Sequence, residues 1–118
     1  MPTTLYGIPN CSTVKKARAW LEAQRIAYVF HDYKKSGVTD EQLRRWCNEA
    51  GWQKVLNRAG TTFKKLPDAA KANLDPAKAI RLMAEQPSMI KRPIVEHGGR
   101  LLVGFDADQW DMAFAAKS

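Results

Sequence analysis

The period of the apolar positions changes several times along the chain. Thr3-Thr4-Leu5-Tyr6-Gly7-Ile8 is rich in β-branched and apolar residues, which predicts a short strand broken by Pro9-Asn10. From about Ser12 to Gln24, Val14, Ala17 and Leu21 fall at helical spacing and predict a helix with one buried face. Ile26 to Tyr33 reads as a second strand, ended by Lys34-Lys35-Ser36-Gly37. Thr39 with Gln42 three residues later forms a capping-box pattern that opens another helix. Leu43, Trp46, Cys47 and Ala50 make its apolar stripe, and Gly51 stops it.

The middle of the chain is less regular. Asn57 to Thr62 predicts a loop around Gly60, and Leu66 to Ala72 a short helix. Asp75-Pro76 supplies an N-cap and first turn for a helix running to about Glu85, with Pro87 ending it. The last third returns to strands, Arg92 to Glu96 and Arg100 to Gly104, joined by the turn His97-Gly98-Gly99. Asp106 caps a final helix whose stripe is Trp110, Ala113 and Phe114. A β-α-β start and a β-β-α finish predict an α/β chain with a four-stranded mixed sheet, the thioredoxin-like arrangement. The helical stretch from about 39 to 87 is then an insertion into a single domain spanning 1–118.

Composition narrows the setting. The chain has 118 residues, 45% hydrophobic and 26% charged, as one globular domain would. It holds no apolar run of about 18 residues, so no membrane-spanning helix is expected. The opening MPTTLYGIPNC lacks the basic start and apolar core of a secretion signal, and two cysteines build no disulfide framework. A cytoplasmic location is expected. Nineteen Lys and Arg against twelve Asp and Glu give a net charge of +7, which favours anionic partners. The cations are scattered rather than gathered into an arm, so nucleic acid is not the expected partner.

Cys11 carries the candidate chemistry. It stands where the first strand ends and the first helix begins, and the free amides of a helix N-terminus stabilise a thiolate. Ser12 and Thr13 add hydroxyls and amides at the same spot. The alternative is a buried structural cysteine. A second cysteine three residues on would resolve a mixed disulfide, but that position is Val14. Cys47 is the other thiol, and its place in an apolar stripe beside Trp46 predicts core packing. An external small thiol is the simpler resolving partner.

Lys15 and Lys16 oppose the dipole in the first helical turn. Lys15, four residues past Cys11, either assists the thiolate or is an ordinary solvated lysine. Arg92 would place a fixed positive charge near the sulfur, favouring thiolate and holding oxyanions. Pro93 after it is expected to be cis, as thioredoxin-like folds have at this point, with backbone groups open to a peptide-like substrate. The bland reading is an edge-strand proline with a surface arginine. Asn57 and Arg58 lie in the central loop, free to face a ligand. His31 and His97 fit a strand face and a turn, and lack metal-ligand spacing, so no metal is expected.

Tyr6-Gly7-Ile8-Pro9-Asn10-Cys11-Ser12-Thr13-Val14-Lys15-Lys16-Ala17, His31-Asp32-Tyr33 and Ile90-Lys91-Arg92-Pro93-Ile94-Val95 together resemble the arsenate reductase (ArsC)/Spx family. The resemblance covers nearly the whole chain and is nearest the YffB-type branch, suspected glutathione-dependent thiol reductases. Cys11 and Arg92 match its pattern as catalytic residues, and Asn10, Ser12, Thr13, Lys15, Asn57, Arg58 and Pro93 are the expected substrate-binding residues. The resemblance also implies no bound cofactor, glutathione as co-substrate, and a small or protein-bound disulfide as substrate.

Departures from the pattern separate the branches. Arsenate reductases of this family hold the oxyanion with three arginines; here Asn57 replaces the central one, with Arg58 next to it. Val103 or Gly104 replaces the third, and Gly7 stands for a histidine. Spx-like regulators bind RNA polymerase and often switch through Cys-x-x-Cys, which Val14 removes. The expected function is therefore glutathione-dependent thiol–disulfide reduction through Cys11. Arsenate reduction and a non-catalytic RNA polymerase-binding role are the alternatives.

Overall fold

The structure, a computed structural model, describes residues 3–115, so both ends of the expected 1–118 domain lie outside the described residues. The chain forms two compact units, one from the chain up to Ser36 and from Arg92 onward, the other from Gly37–Lys91. The first is the thioredoxin-like part. It contains β1 (Thr3–Gly7), α1 (Ser12–Ala23), β2 (Val29–Asp32) and a one-turn helix α2 (Tyr33–Ser36). After the other unit come β3 (Ile94–His97), β4 (Arg100–Val103) and α8 (Ala107–Ala115).

The sheet is four-stranded and mixed, in the order β2-β1-β3-β4. β1 runs parallel to β2, with Gly7 opposite Asp32, and antiparallel to β3, with Leu5 opposite Val95. β3 and β4 are antiparallel. Val14, Ala17 and Leu21 bury the predicted face of α1, packing with Leu5, Val95, Leu102 and the α8 stripe Trp110, Ala113 and Phe114. Asp106 caps α8 through its Oδ1, which accepts from the Gln109 N–H at 3.2 Å.

Several boundaries of this unit differ from the sequence expectation. β2 begins at Val29 rather than Ile26, because α1 closes with a backbone turn that uses the intervening residues. Arg25 there has φ +59°, and the Ile26 N–H donates back to the Leu21 carbonyl at 3.0 Å. Lys34 to Ser36 are helical rather than loop, since Asp32 Oδ1 accepts from the Lys34 and Lys35 N–H groups at 3.0 and 3.2 Å. In the hairpin, β3 runs through His97, and the turn is Gly98-Gly99 alone with φ +54° and +82°.

The Gly37–Lys91 unit is helical: α3 (Asp40–Ala50), α4 (Trp52–Val55), α5 (Thr61–Lys64), α6 (Asp68–Lys71) and α7 (Pro76–Glu85), then a 3₁₀ turn at Pro87–Met89. The Thr39–Gln42 capping box is formed in both directions. Asp75 caps α7 through the Lys78 N–H at 2.8 Å. Leu43, Trp46 and Cys47 are buried, as the stripe predicts. α4 was not expected, and α5 begins inside the expected loop at 57–62; both are single turns without a readable period. No helix among the described residues is long and apolar enough to cross a membrane.

Candidate active site

Cys11 is the N-cap of α1, in extended backbone with φ −83° and ψ 126°. The local sequence dictates this: Pro9-Asn10 turns the chain out of β1, closed by the Cys11 N–H donating to the Ile8 carbonyl at 3.2 Å. The first helical bond then runs from the Lys15 N–H to the Cys11 carbonyl at 3.0 Å. The side chain is half-buried, in reach of solvent.

Opposing forces act on the thiol. Partial burial pushes its pKa up; the backbone N–H groups of Val14 and Thr13, with the charge and hydrogen bonding of the Arg92 guanidinium, pull it down, and the net pKa lies below that of an ordinary cysteine. The sulfur makes no short capping hydrogen bond, so these amides stand as donors available to the anion. Cys47 differs: burial pushes its thiol up.

Arg92 is half-buried at the return of the chain into β3, and the Arg92–Pro93 peptide bond is cis. Pro93 itself is buried, and its carbonyl accepts from the Gly104 N–H at 2.8 Å. The expectation of open backbone groups at Pro93 is corrected to that extent: its carbonyl already serves the hairpin.

Sequence reasoning missed Tyr33 as part of this site. It is fully buried, 0% exposed, immediately after Asp32, the residue paired with Gly7 at the end of β1. Burial foremost pushes its phenol far up; the Arg92 charge lowers it and the Cys11 sulfur raises it, so all three groups lie in one electrostatic neighbourhood. The available signal was the position directly past the parallel strand that flanks the cysteine's own strand.

Asn10, Ser12 and Lys15 are exposed around Cys11, and Thr13 is half-buried with its N–H toward the sulfur. Arg92 is the cation that acts on the thiol; Lys15 is not among the groups that do. Asn57 and Arg58 belong to the helical unit. The Asn57 N–H donates to the Met89 carbonyl at 2.7 Å, and the Arg58 guanidinium lies 5.8 Å from the centre of the Trp52 ring. His31 contacts the Tyr6 ring at 4.9 Å, and His97 is hydrogen-bonded to Thr3.

Comparison with known proteins agrees with this architecture. The chain is 63% identical to the YFFB protein of a solved structure, with a TM-score of 0.92, over 94% of this chain and 97% of that one. An arsenate reductase (ArsC) related protein from Brucella melitensis is 53% identical, with a TM-score of 0.77, over 97% and 95% of the two chains. An uncharacterized protein from Haemophilus influenzae is 39% identical across 112 residues, 95% of this chain and 98% of its own length. The profile of the ArsC family matches residues 6–113, and the chain belongs to that family.

Proposed function

We propose that the protein is a glutathione-dependent thiol–disulfide reductase that works through Cys11 alone. The observation that carries this reading is the placement of a half-buried Cys11 at the N-cap of α1, with a buried valine at its i+3 position. A nucleophile is present, and an adjacent resolving thiol is not.

The Cys11 thiolate attacks the glutathionyl sulfur of a mixed disulfide R–S–S–G. The substrate leaves as R–S⁻ and takes a proton from solvent, while Cys11 is left bonded to glutathione. A second glutathione thiolate attacks that sulfur, releases the Cys11 thiolate and forms oxidised glutathione. The balance is R–S–S–G plus GSH giving R–SH plus GSSG. Arg92 and the Thr13 and Val14 amides stabilise Cys11 both as attacking and as leaving thiolate. The net charge of +7 suits an anionic tripeptide.

Incubation with oxidised glutathione followed by peptide mass analysis tests the reading. The glutathionyl adduct is expected on Cys11, with turnover of mixed disulfides lost in Cys11→Ser. An adduct on Cys47, or none while Cys11 is still alkylated, overturns it. Glutathione-dependent turnover of arsenate in place of disulfides would instead identify the arsenate reaction.

A further inference from the structure

Cys11 stands before α1, and a cleft borders the opposite end of that helix, about 18 Å away along its 12 residues. This cleft, about 690 Å³, is lined by Thr3, Arg25, Ile26, His97, Arg100 and Phe114 among others. We infer that it binds a small organic anion, a phosphate- or carboxylate-bearing molecule with an apolar body.

Arg25 and Arg100 both line the cleft, and no described residue lining it is acidic. Neither guanidinium has a hydrogen-bond or ion-pair partner among the described residues. Two guanidinium groups lining one cleft give it a positive potential that favours an anion, to which each can donate charge-assisted hydrogen bonds. The C-terminal end of α1 supplies partial negative charge, but its carbonyls are largely taken by the Gln24, Arg25 and Ile26 N–H groups.

Arg25 occupies the left-handed position that closes α1, with φ +59°, where glycine is the usual residue. A dipole-complementing arginine could stand one turn earlier in ordinary helical backbone. At this position the turn aims the residue out of the helix into the cleft.

The other wall suits an apolar body. Phe114 and Ile26 line it, and the Phe114 ring lies 4.3 Å from the His97 ring. His97 is buried and fixed, its Nδ1 hydrogen-bonded to Thr3 Oγ1 at 2.6 Å, so part of the cleft is preorganised.

Anilinonaphthalene sulfonate, an apolar anion that fluoresces on burial, is a direct probe, with inorganic phosphate and a cationic analogue as competitors. One saturable site is expected, competed by phosphate and not by the cation. Arg25→Gly and Arg100→Gln should each weaken it about tenfold, the loss of one charge-assisted contact. Arg25→Gly is the informative variant, since glycine relieves the backbone and should leave melting temperature equal or higher. Cys11→Ser should bind as wild type, which separates this site from the thiol site. Unchanged affinity in both arginine variants, loss of binding in Cys11→Ser, or absence of a saturable site overturns the inference.

Discussion

Gly7 and Val14 approach so closely that a Cβ on Gly7 would lie 2.8 Å from Val14 Cγ2. Gly7 ends β1 and Val14 is in the first turn of α1, so this contact seats the helix that carries Cys11 on the strand before it. Valine is stiff about χ1 and cannot swing away. Gly7→Ala should therefore destabilise the protein by about 1–3 kcal/mol through overpacking. Val14→Ala should cost stability alone by leaving a cavity, yet relieve Gly7→Ala when combined with it. Urea unfolding of the four proteins checks this; strict additivity would mean the two residues do not share the contact.

The same packing shows what was legible in the sequence. α1, α3 and α7 announced themselves through stripes such as Val14, Ala17 and Leu21, and through caps at Thr39 and Asp75. Each spans several turns, so periodicity can accumulate. The single-turn helices α2, α4 and α5 carry no such signal, whereas α6 falls inside the short helix expected at 66–72; α2 exists because one side chain, Asp32, captures two amides. The strand Val29–Asp32 is cut short by the closure of α1 at Arg25, a backbone event that residue type argued against. Cys11 and Arg92 were visible because a helix start and an Arg-Pro pair are local features. Tyr33 was not, because its relation to them is made by strand pairing, Gly7 opposite Asp32, rather than by proximity in sequence.

Cys11 should ionise below the pKa of an ordinary thiol, and Arg92→Ala should move it back up, since the arginine contributes both charge and a hydrogen bond. Iodoacetamide alkylation followed against pH reads the midpoint directly, with Cys47 slow in the folded protein because burial pushes its thiol up. The stability sign follows from the lowered folded pKa. Relative to Cys11→Ser, the thiolate's contribution is present above the unfolded thiol pKa of about 8.5 and is lost as pH falls through the folded value. A midpoint identical in wild type and Arg92→Ala would contradict the arrangement.

Tyr33 should stay protonated for as long as the protein is folded. Burial is the leading cause, and the Cys11 charge adds to it against the pull of Arg92. With the folded pKa raised, its contribution is fully present below the unfolded phenol value of about 10 and is lost as pH rises through the folded one. The advantage of wild type over Tyr33→Phe should thus shrink above that pH in denaturant titrations. Tyrosinate absorbance in the folded state should match between the two proteins. An extra tyrosinate in wild type before unfolding would show that the phenol is solvated.

In the proposed reaction the valine at i+3 leaves a Cys11–glutathione adduct dependent on a second glutathione for release, and Val14→Cys should remove that dependence. Position 14 is fully buried and its N–H already points toward the Cys11 sulfur, so a thiol there would sit behind the adduct in the spacing of a Cys-x-x-Cys motif. Cysteine is slightly smaller than valine and apolar, so the packing on Gly7 should tolerate it at a cost under about 1.5 kcal/mol. Wild type loaded with one glutathionyl group should keep it in glutathione-free buffer. The variant should expel it as free glutathione and close an internal disulfide between Cys11 and the introduced thiol, read as loss of the adduct mass and of both free thiols. Retention of the adduct in a folded variant would mean that the buried position cannot reach the sulfur, and that the valine is there for packing alone.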